Sequence, residues 1–354
     1  MDQKIVAVAM SGGVDSSVAA ALLKKQGYQV IGVMLRLWSE PGKEDSNRCC
    51  TPDAIAQARR VASILDIPFY VIDAKDIFQN SVVQYFLDGY AQGNTPNPCL
   101  VCNRSIRWTF LLDHALALGA EYMATGHYVR KMTIDGEYRL LKAIDRSKDQ
   151  SYILHVLDQQ KLAHALFPVG DHEKTEIRVM AATLGLPVAS RKDSQDLCFL
   201  AGDDYRAFIR RNAAGLAKSG PIQSRDGRVL GQHTGLPDYT IGQRSGLGFA
   251  ARVPMYVLQK DIEKNALIVG EHAELGSQVL NAREANWISG APPQNEFSGQ
   301  IKIRYTAREV EGHVALTEPD KFQVRFNSPQ RDITPGQAAV IYQEETLLGG
   351  GIIY

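Results

Sequence analysis

The sequence predicts an α/β fold in which an N-terminal doubly wound parallel sheet is followed by two β-rich domains. Three observations carry this. A β-branched apolar run at 4–10 passes through a Gly-Gly turn into a run of helix formers at 18–26. Runs of these two kinds then alternate to about residue 125, the pattern of a parallel sheet whose ligands sit at the carboxyl ends of its strands. Beyond about residue 205 glycine becomes dense, and short segments alternate apolar with polar residues, the period of half-buried strands. We place the domains at 1–205 (nucleotide-handling), 206–275 (a small β-barrel-like unit) and 276–354 (a second β-rich unit). A chain of 354 residues is too long for one typical core.

The elements follow in order. The run at 4–10 reads as a strand buried on both faces, and the helix after it stops at Gly27. Residues 28–38 read as a second strand, and Thr51-Pro52 as the cap and first turn of a helix running to about Asp66. Ile67-Pro68 ends that helix before a third strand at 69–73. Helices are expected over 76–90 and 104–118, and a strand over 122–125 that brings Gly126-His127 to the same sheet edge. The two prolines around Asn97 place Cys99 and Cys102 on a stiff, non-helical crossover. Asp135-Gly136 marks a hairpin turn, 174–184 a helix, and 255–260 with 266–270 a second hairpin. Residues 301–305 and 322–326 alternate as strands.

Between the first strand and helix lies Ser11-Gly12-Gly13-Val14-Asp15-Ser16-Ser17. The first N–H groups of a helix lack internal partners and face the positive end of its dipole, so this turn can hold a phosphate. Gly12 and Gly13 let the backbone close on the anion, and Ser11, Ser16 and Ser17 supply hydroxyls. The loop lacks the lysine of a Walker sequence and the spacing of a dinucleotide fingerprint. An ordinary glycine turn with a Ser or Asp cap explains two of the seven residues.

Composition bounds the rest. Lys+Arg 39 against Asp+Glu 39 leaves no net charge, so a polyanion must be met by local patches. No basic-then-apolar signal opens the chain and no apolar stretch is long enough for a membrane span, so the expected setting is the cytoplasm with no membrane partner. Five cysteines, an odd number, fit reduced thiols better than a disulfide framework. Cys49-Cys50 reads as exposed and incidental to catalysis. Cys99-x-x-Cys102 is open to four readings, namely half of a zinc site, a redox dithiol, iron–sulfur ligands or chance, with zinc disfavoured because no second ligand pair follows. Cys198 follows a polar loop at 191–196 that can fold over the sheet edge, and it reads equally well as a buried apolar thiol beside Phe199. Two loop thiols facing a nucleotide suggest sulfur transfer, one carrying a persulfide and the other resolving it.

The string S-G-G-x-D-S-S resembles the pyrophosphate loop of ATP pyrophosphatases, which cleave ATP between its α and β phosphates and adenylate a substrate oxygen. Together with T-P-N-P-x-x-x-C-N at 95–103, A-T-G-H-Y at 124–128, K-D-Q-S-Y at 148–152, K-D-S-x-x-x-C-F at 192–199, G-Q-R-x-G-L-G at 242–248 and T-P-G-Q-x-x-V at 334–340, it resembles the tRNA-specific 2-thiouridylase family from Ser11 to Val340. The resemblance implies ATP-dependent conversion of the wobble uridine to 2-thiouridine in the tRNAs for lysine, glutamate and glutamine. It implies that Ala9, Met10, Ser11, Gly12, Gly13, Val14, Asp15 and Ser16 hold ATP, with Leu35 and Gly126 on the nucleotide and Asp15 a candidate Mg²⁺ ligand. Cys198 then carries the persulfide received from a cysteine desulfurase or sulfur-relay protein, and Cys102 is the resolving nucleophile. Asn97, Pro98 and Cys99 meet the flipped base, and His127, Lys148, Asp149, Gln150, Arg304, Tyr305 and Gln337 touch the anticodon stem-loop.

One position departs from part of that family: Cys99 stands where members with T-P-N-P-D carry aspartate. This opens an alternative in which Cys99, Cys102 and Cys198 hold a [4Fe-4S] cluster. Two rivals of other kinds are distinguishable. A small-molecule adenylating synthetase has no use for Cys102 and Cys198, and a non-catalytic tRNA-binding module has no use for the phosphate loop.

Overall fold

The computed structural model describes residues 3–43, 51–191, 197–200 and 202–354, so Cys49-Cys50 and the polar stretch 192–196 lie outside the described residues. Among the described residues the first half contributes seven strands: β1 (Ile5–Ala9), β2 (Gln29–Arg36), β3 (Phe69–Asp73), β4 (Tyr122–Thr125), β5 (Val129–Ile134), β6 (Glu137–Lys142) and β7 (Ala165–Leu166). Five of them form a parallel sheet ordered β3-β2-β1-β4-β7. Chain direction across the sheet reverses between β1 and β4, and the crevice at such a switch point is where ligands bind. Helix α1 (Val14–Lys25) follows β1, and α2 (Pro52–Ile64) follows β2. Thr51 caps α2 as its sequence predicts, its hydroxyl accepting the Ala54 N–H at 3.0 Å.

Three expectations about local structure are corrected. The crossover bearing Cys99 is helical: Pro98–Val101 forms an α-turn that runs on as a π-helix over Cys102–Leu111 and an α-helix over Leu112–Ala117. Proline lacks only an N–H that the first turn leaves unpaired anyway, so Pro98 starts this helix, with the Asn97 side chain as its cap. Next, the region after Tyr205 opens with a helix, Tyr205–Asn212, that buries Phe208 and Ile209. Finally, the strand at 301–305 stops at Lys302, leaving Arg304 and Tyr305 in a turn.

The central unit is a four-stranded sheet of β8 (Gly220–Ser224), β9 (Val229–His233), β10 (Met255–Asp261) and β11 (Ala266–Glu271), ordered β10-β11-β8-β9. The last unit holds β12 (Ser277–Trp287), β13 (Glu296–Lys302), β14 (Val310–Glu318), β15 (Lys321–Gln330), β16 (Ala338–Gln343) and β17 (Thr346–Ile353). Pairing of β12 with β17 closes these six strands into a barrel around Phe322, Val324, Ile341 and their neighbours. The β5–β6 hairpin turns at Asp135-Gly136 as its sequence predicts, yet it joins the barrel's sheet, Thr346 and Leu347 of β17 pairing with Leu141 and Leu140.

A second clasp joins the barrel to the loop before Cys99. Thr95 N–H donates to the Pro335 carbonyl at 2.8 Å, and Gln337 Nε2 donates to the Thr95 carbonyl at 2.7 Å. Gly336 makes the approach possible: at φ +91°, a Cβ there would lie 3.0 Å from the Thr95 carbonyl.

Burial at this junction has a pH signature. His155 is fully buried and lies against Gly350 of β17, and desolvation lowers its pKa to about 4. The unfolded chain therefore takes up this proton first. The contribution of His155 to stability is whole above about pH 6.5 and should fall by about 1.4 kcal/mol per pH unit on acidification, until His155 also protonates in the fold near pH 4. Urea titrations of the native chain and of His155→Gln between these limits should show a shallower pH slope in the variant; equal slopes would contradict the assignment.

Candidate active site

The site is built at the switch point, where the turns after β1 and β4 meet. Gly12 has φ +71°, and a Cβ there would stand 2.6 Å from the Ala54 carbonyl in the first turn of α2. Gly126, after β4, comes so close to α1 that its Cβ would lie 2.6 Å from the Ser16 nitrogen. Both glycines are therefore required by close approach of backbone, and the N–H groups of Gly13 and the first turn of α1 suit an anion. Gly13, the N-cap residue of α1, has no side chain to cap the helix, which leaves its first N–H groups to a ligand.

The serines divide their work. Ser16 Oγ accepts the Ser11 N–H at 3.2 Å and bonds the Gly13 carbonyl, while the fully buried Ser17 donates inward to that carbonyl at 2.8 Å. Ser17 therefore shapes the loop from behind instead of facing an anion. Met10 and Val14 send their side chains into the core, so at these positions only the backbone is available to a nucleotide. Ala9 ends β1, and Leu35 lies half-buried one strand away on β2.

Asp15 is the main surprise. Its carboxylate accepts the Lys174 ammonium on both oxygens, at 2.6 and 2.7 Å, and the Tyr128 hydroxyl at 2.7 Å. Lys174 opens the Lys174–Thr183 helix and is buried, so the lysine missing from the loop's own sequence arrives from an element 159 residues away. In this structure both Asp15 oxygens are the counter-ion of a buried ammonium. Among the described residues, no group of three His, Cys, Asp or Glu side chains is arranged to hold a metal ion.

Two of the thiols, Cys102 and Cys198, touch one apolar cluster. Cys99 is half-buried on the Pro98–Val101 turn, and Cys102, only 7% exposed, begins the π-helix. Cys198 is half-buried at the start of a short 3₁₀ turn whose Phe199 packs among Phe78, Phe86 and Phe208. Cys102 belongs to the apolar cluster against which Cys198 packs.

The residues expected to face RNA lie around this thiol helix. Tyr305 is 40% exposed, and its phenol is held above the usual range by burial and by the nearby Asp149 and Cys99, which places it beside the Cys99 turn. Lys148 is half-exposed. Asp149 spends its oxygens on the Ala143 N–H and the Ser151 hydroxyl, and Gln150 accepts the Tyr128 N–H at 3.0 Å. Arg304 is ion-paired to Asp332. Asn97 and Gln337 serve the cap and the clasp already described, and Pro98 is buried.

His127 is buried with both ring nitrogens engaged. Arg107 Nη1 reaches Nε2 at 3.3 Å, so Nε2 accepts and Nδ1–H points to Thr125 Oγ1 at 2.8 Å. Burial, aided by the Arg107 charge, keeps the imidazole neutral by lowering its pKa well below 6.5. Sequence reasoning missed Arg107, Tyr128, Asp145 and Lys174; position in A-T-G-H-Y was the available signal for Tyr128, and the others carried none.

A doubly wound α/β domain with a phosphate loop at its switch point, a thiol-bearing helix beside it and two β-rich units behind defines the class of protein. A family model described as tRNA methyl transferase HUP domain matches residues 4–202, one described as tRNA methyl transferase PRC-barrel domain matches 207–271, and one described as aminomethyltransferase beta-barrel domain matches 277–353. Similar curated proteins include the tRNA-specific 2-thiouridylase MnmA of Moorella thermoacetica, 49% identical over 350 residues, and that of Roseiflexus castenholzii, 46% identical over 367 residues. In both, 98% of this chain and 98% of the relative are covered. The chain belongs to the tRNA-specific 2-thiouridylase family.

Proposed function

We propose that this chain is an ATP-dependent tRNA sulfurtransferase that converts the wobble uridine of the tRNAs for lysine, glutamate and glutamine to 2-thiouridine. The observation that supports it best is a phosphate cradle built on α1, whose residues share one apolar cluster with Cys102 and, packed against it, Cys198, in a chain of this family. The C2 oxygen of uracil is a poor leaving group, and adenylation makes it one as good as AMP. ATP bound on the cradle, through Ser11 to Ser16, is attacked at its α phosphorus by that oxygen, and pyrophosphate leaves. Asn97, Pro98 and Cys99 receive the flipped base, while Lys148, Arg304, Tyr305 and their neighbours hold the anticodon stem-loop.

Sulfur then follows. A donor protein of the desulfurase or relay type leaves a persulfide on Cys198. Its terminal sulfur attacks C2, the C2–O bond breaks, and AMP departs with the electron pair. The Cys102 thiolate attacks Cys198 Sγ, the S–S bond breaks toward the base, and 2-thiouridine leaves a Cys102–Cys198 disulfide that an external dithiol reduces.

Unmodified tRNA incubated with the enzyme, ATP and a persulfide donor should gain the mass of an oxygen-to-sulfur exchange at the wobble position, with one AMP formed per sulfur. AMP release without change in the RNA, or thiolation without ATP, would sink this reading.

A further inference from the structure

Two hydrogen-bonded arms run from the Ser147–Gln150 turn to the carboxylate of Asp15 in the phosphate loop. Along the first, Gln150 and Tyr128 are joined twice, Tyr128 N–H donating to Gln150 Oε1 at 3.0 Å and Gln150 N–H to the Tyr128 carbonyl at 2.9 Å. The Tyr128 hydroxyl then donates to Asp15 Oδ1 at 2.7 Å. Along the second, the buried Asp145 accepts the Ser147 N–H and hydroxyl on one oxygen, at 3.0 and 2.6 Å, and the Lys174 N–H on the other at 3.0 Å. Its carbonyl accepts the Lys148 N–H at 3.1 Å. The Lys174 ammonium completes this arm on both oxygens of Asp15 and lies 5.6 Å from the centre of the Tyr128 ring, so the arms also touch each other.

The joints are stiff. Tyr128, Asp145 and Lys174 are all buried, and the arms connect two surfaces that meet different molecules. We propose that Tyr128 and Asp145 are positioning residues that couple RNA bound at Lys148–Gln150 to the shape of the ATP loop at Asp15. This rests on the function proposed above, which puts RNA on that turn and ATP on that loop. Nucleotide phosphates entering the cradle displace or reorient the Lys174–Asp15 pair, and the shift passes through both arms to the turn. RNA fixing the turn holds the pair in its nucleotide-ready position. Linkage requires the effect to be reciprocal, each ligand tightening the other by the same factor, typically about five-fold or more.

Tyr128→Phe is the clean variant, because it deletes one hydroxyl and keeps the buried ring over Lys174. Asp145→Asn keeps shape and changes charge in the other arm. The probes are α,β-methylene-ATP, which resists cleavage between the α and β phosphates, and an anticodon stem-loop RNA carrying the wobble uridine. Each is titrated calorimetrically with and without the other on the full-length protein.

In the native chain the RNA should tighten the nucleotide by about five-fold or more, and the nucleotide should tighten the RNA equally. Each variant should bring that factor toward one, with the separate affinities changed less than the factor. A factor of one in the native chain overturns the coupling while leaving the proposed function intact, as does an unchanged factor in both variants. Separate affinities that fall while the factor persists make the two residues merely structural and overturn it too. RNA that does not bind at all sinks the functional reading, and the coupling with it.

Discussion

Replacing Cys198 with alanine is expected to stop sulfur incorporation, by about a thousandfold or more, which is ~4 kcal/mol of transition-state stabilisation. Pyrophosphate release from ATP in the presence of tRNA should continue for one turnover, with the AMP moiety retained on the RNA. On the chemistry proposed above, the two half-reactions use different parts of the site: the adenylating step needs the cradle after β1, and only the second step needs a thiol against the apolar cluster that includes Cys102. Single-turnover assays with a persulfide donor separate them, with pyrophosphate release reporting the first step and 2-thiouridine, followed by mass spectrometry, the second. The packing of Phe199 among three other phenylalanines gives the fold an anchor beside the substituted position, so the variant should melt within a few degrees of the native chain. Thiolation that persists at the native rate would remove Cys198 from the chemistry.

Lys174→Ala carries the second large effect, on the opposite half-reaction. It removes the ammonium that both Asp15 oxygens hold, leaving a carboxylate at the mouth of an anion site. A negative charge there repels the phosphates that the helix terminus attracts. The expected loss is about 10²–10³-fold in the rate of AMP formation, the scale seen when one preorganised charge donor is deleted, with Lys174→Arg recovering part of it. Asp15→Asn should be milder than Lys174→Ala, because it removes the lysine's counter-ion without leaving an anion behind. An Ala variant that forms AMP at the native rate would contradict a role for the pair in handling phosphate.

What the sequence disclosed and what it hid differ in range. The strand, loop and helix at 4–26 and the Thr51-Pro52 start were legible because each depends on residues within one turn of each other. The α/β class followed from the same local periodicities. Pro98 misled because proline breaks a helix in its interior and begins one at its first turn, and the deciding cap, Asn97 to Cys99 N–H, needs the outcome to be known. Lys174 meeting Asp15 was invisible, since no local pattern ties a lysine at a helix start to a loop 159 residues earlier. The thiols could be named from motifs, whereas their shared apolar surroundings required the fold.

The β5–β6 hairpin carries a consequence for how the chain can be divided. Its strands lie early in the chain, yet their outer neighbour is β17, which a ribosome makes long after β6. Until β17 emerges, β6 presents bare peptide groups ready to recruit a strand from another chain. Splitting the gene between the nucleotide-handling half and the barrel should therefore yield two sticky fragments that recover solubility when produced together.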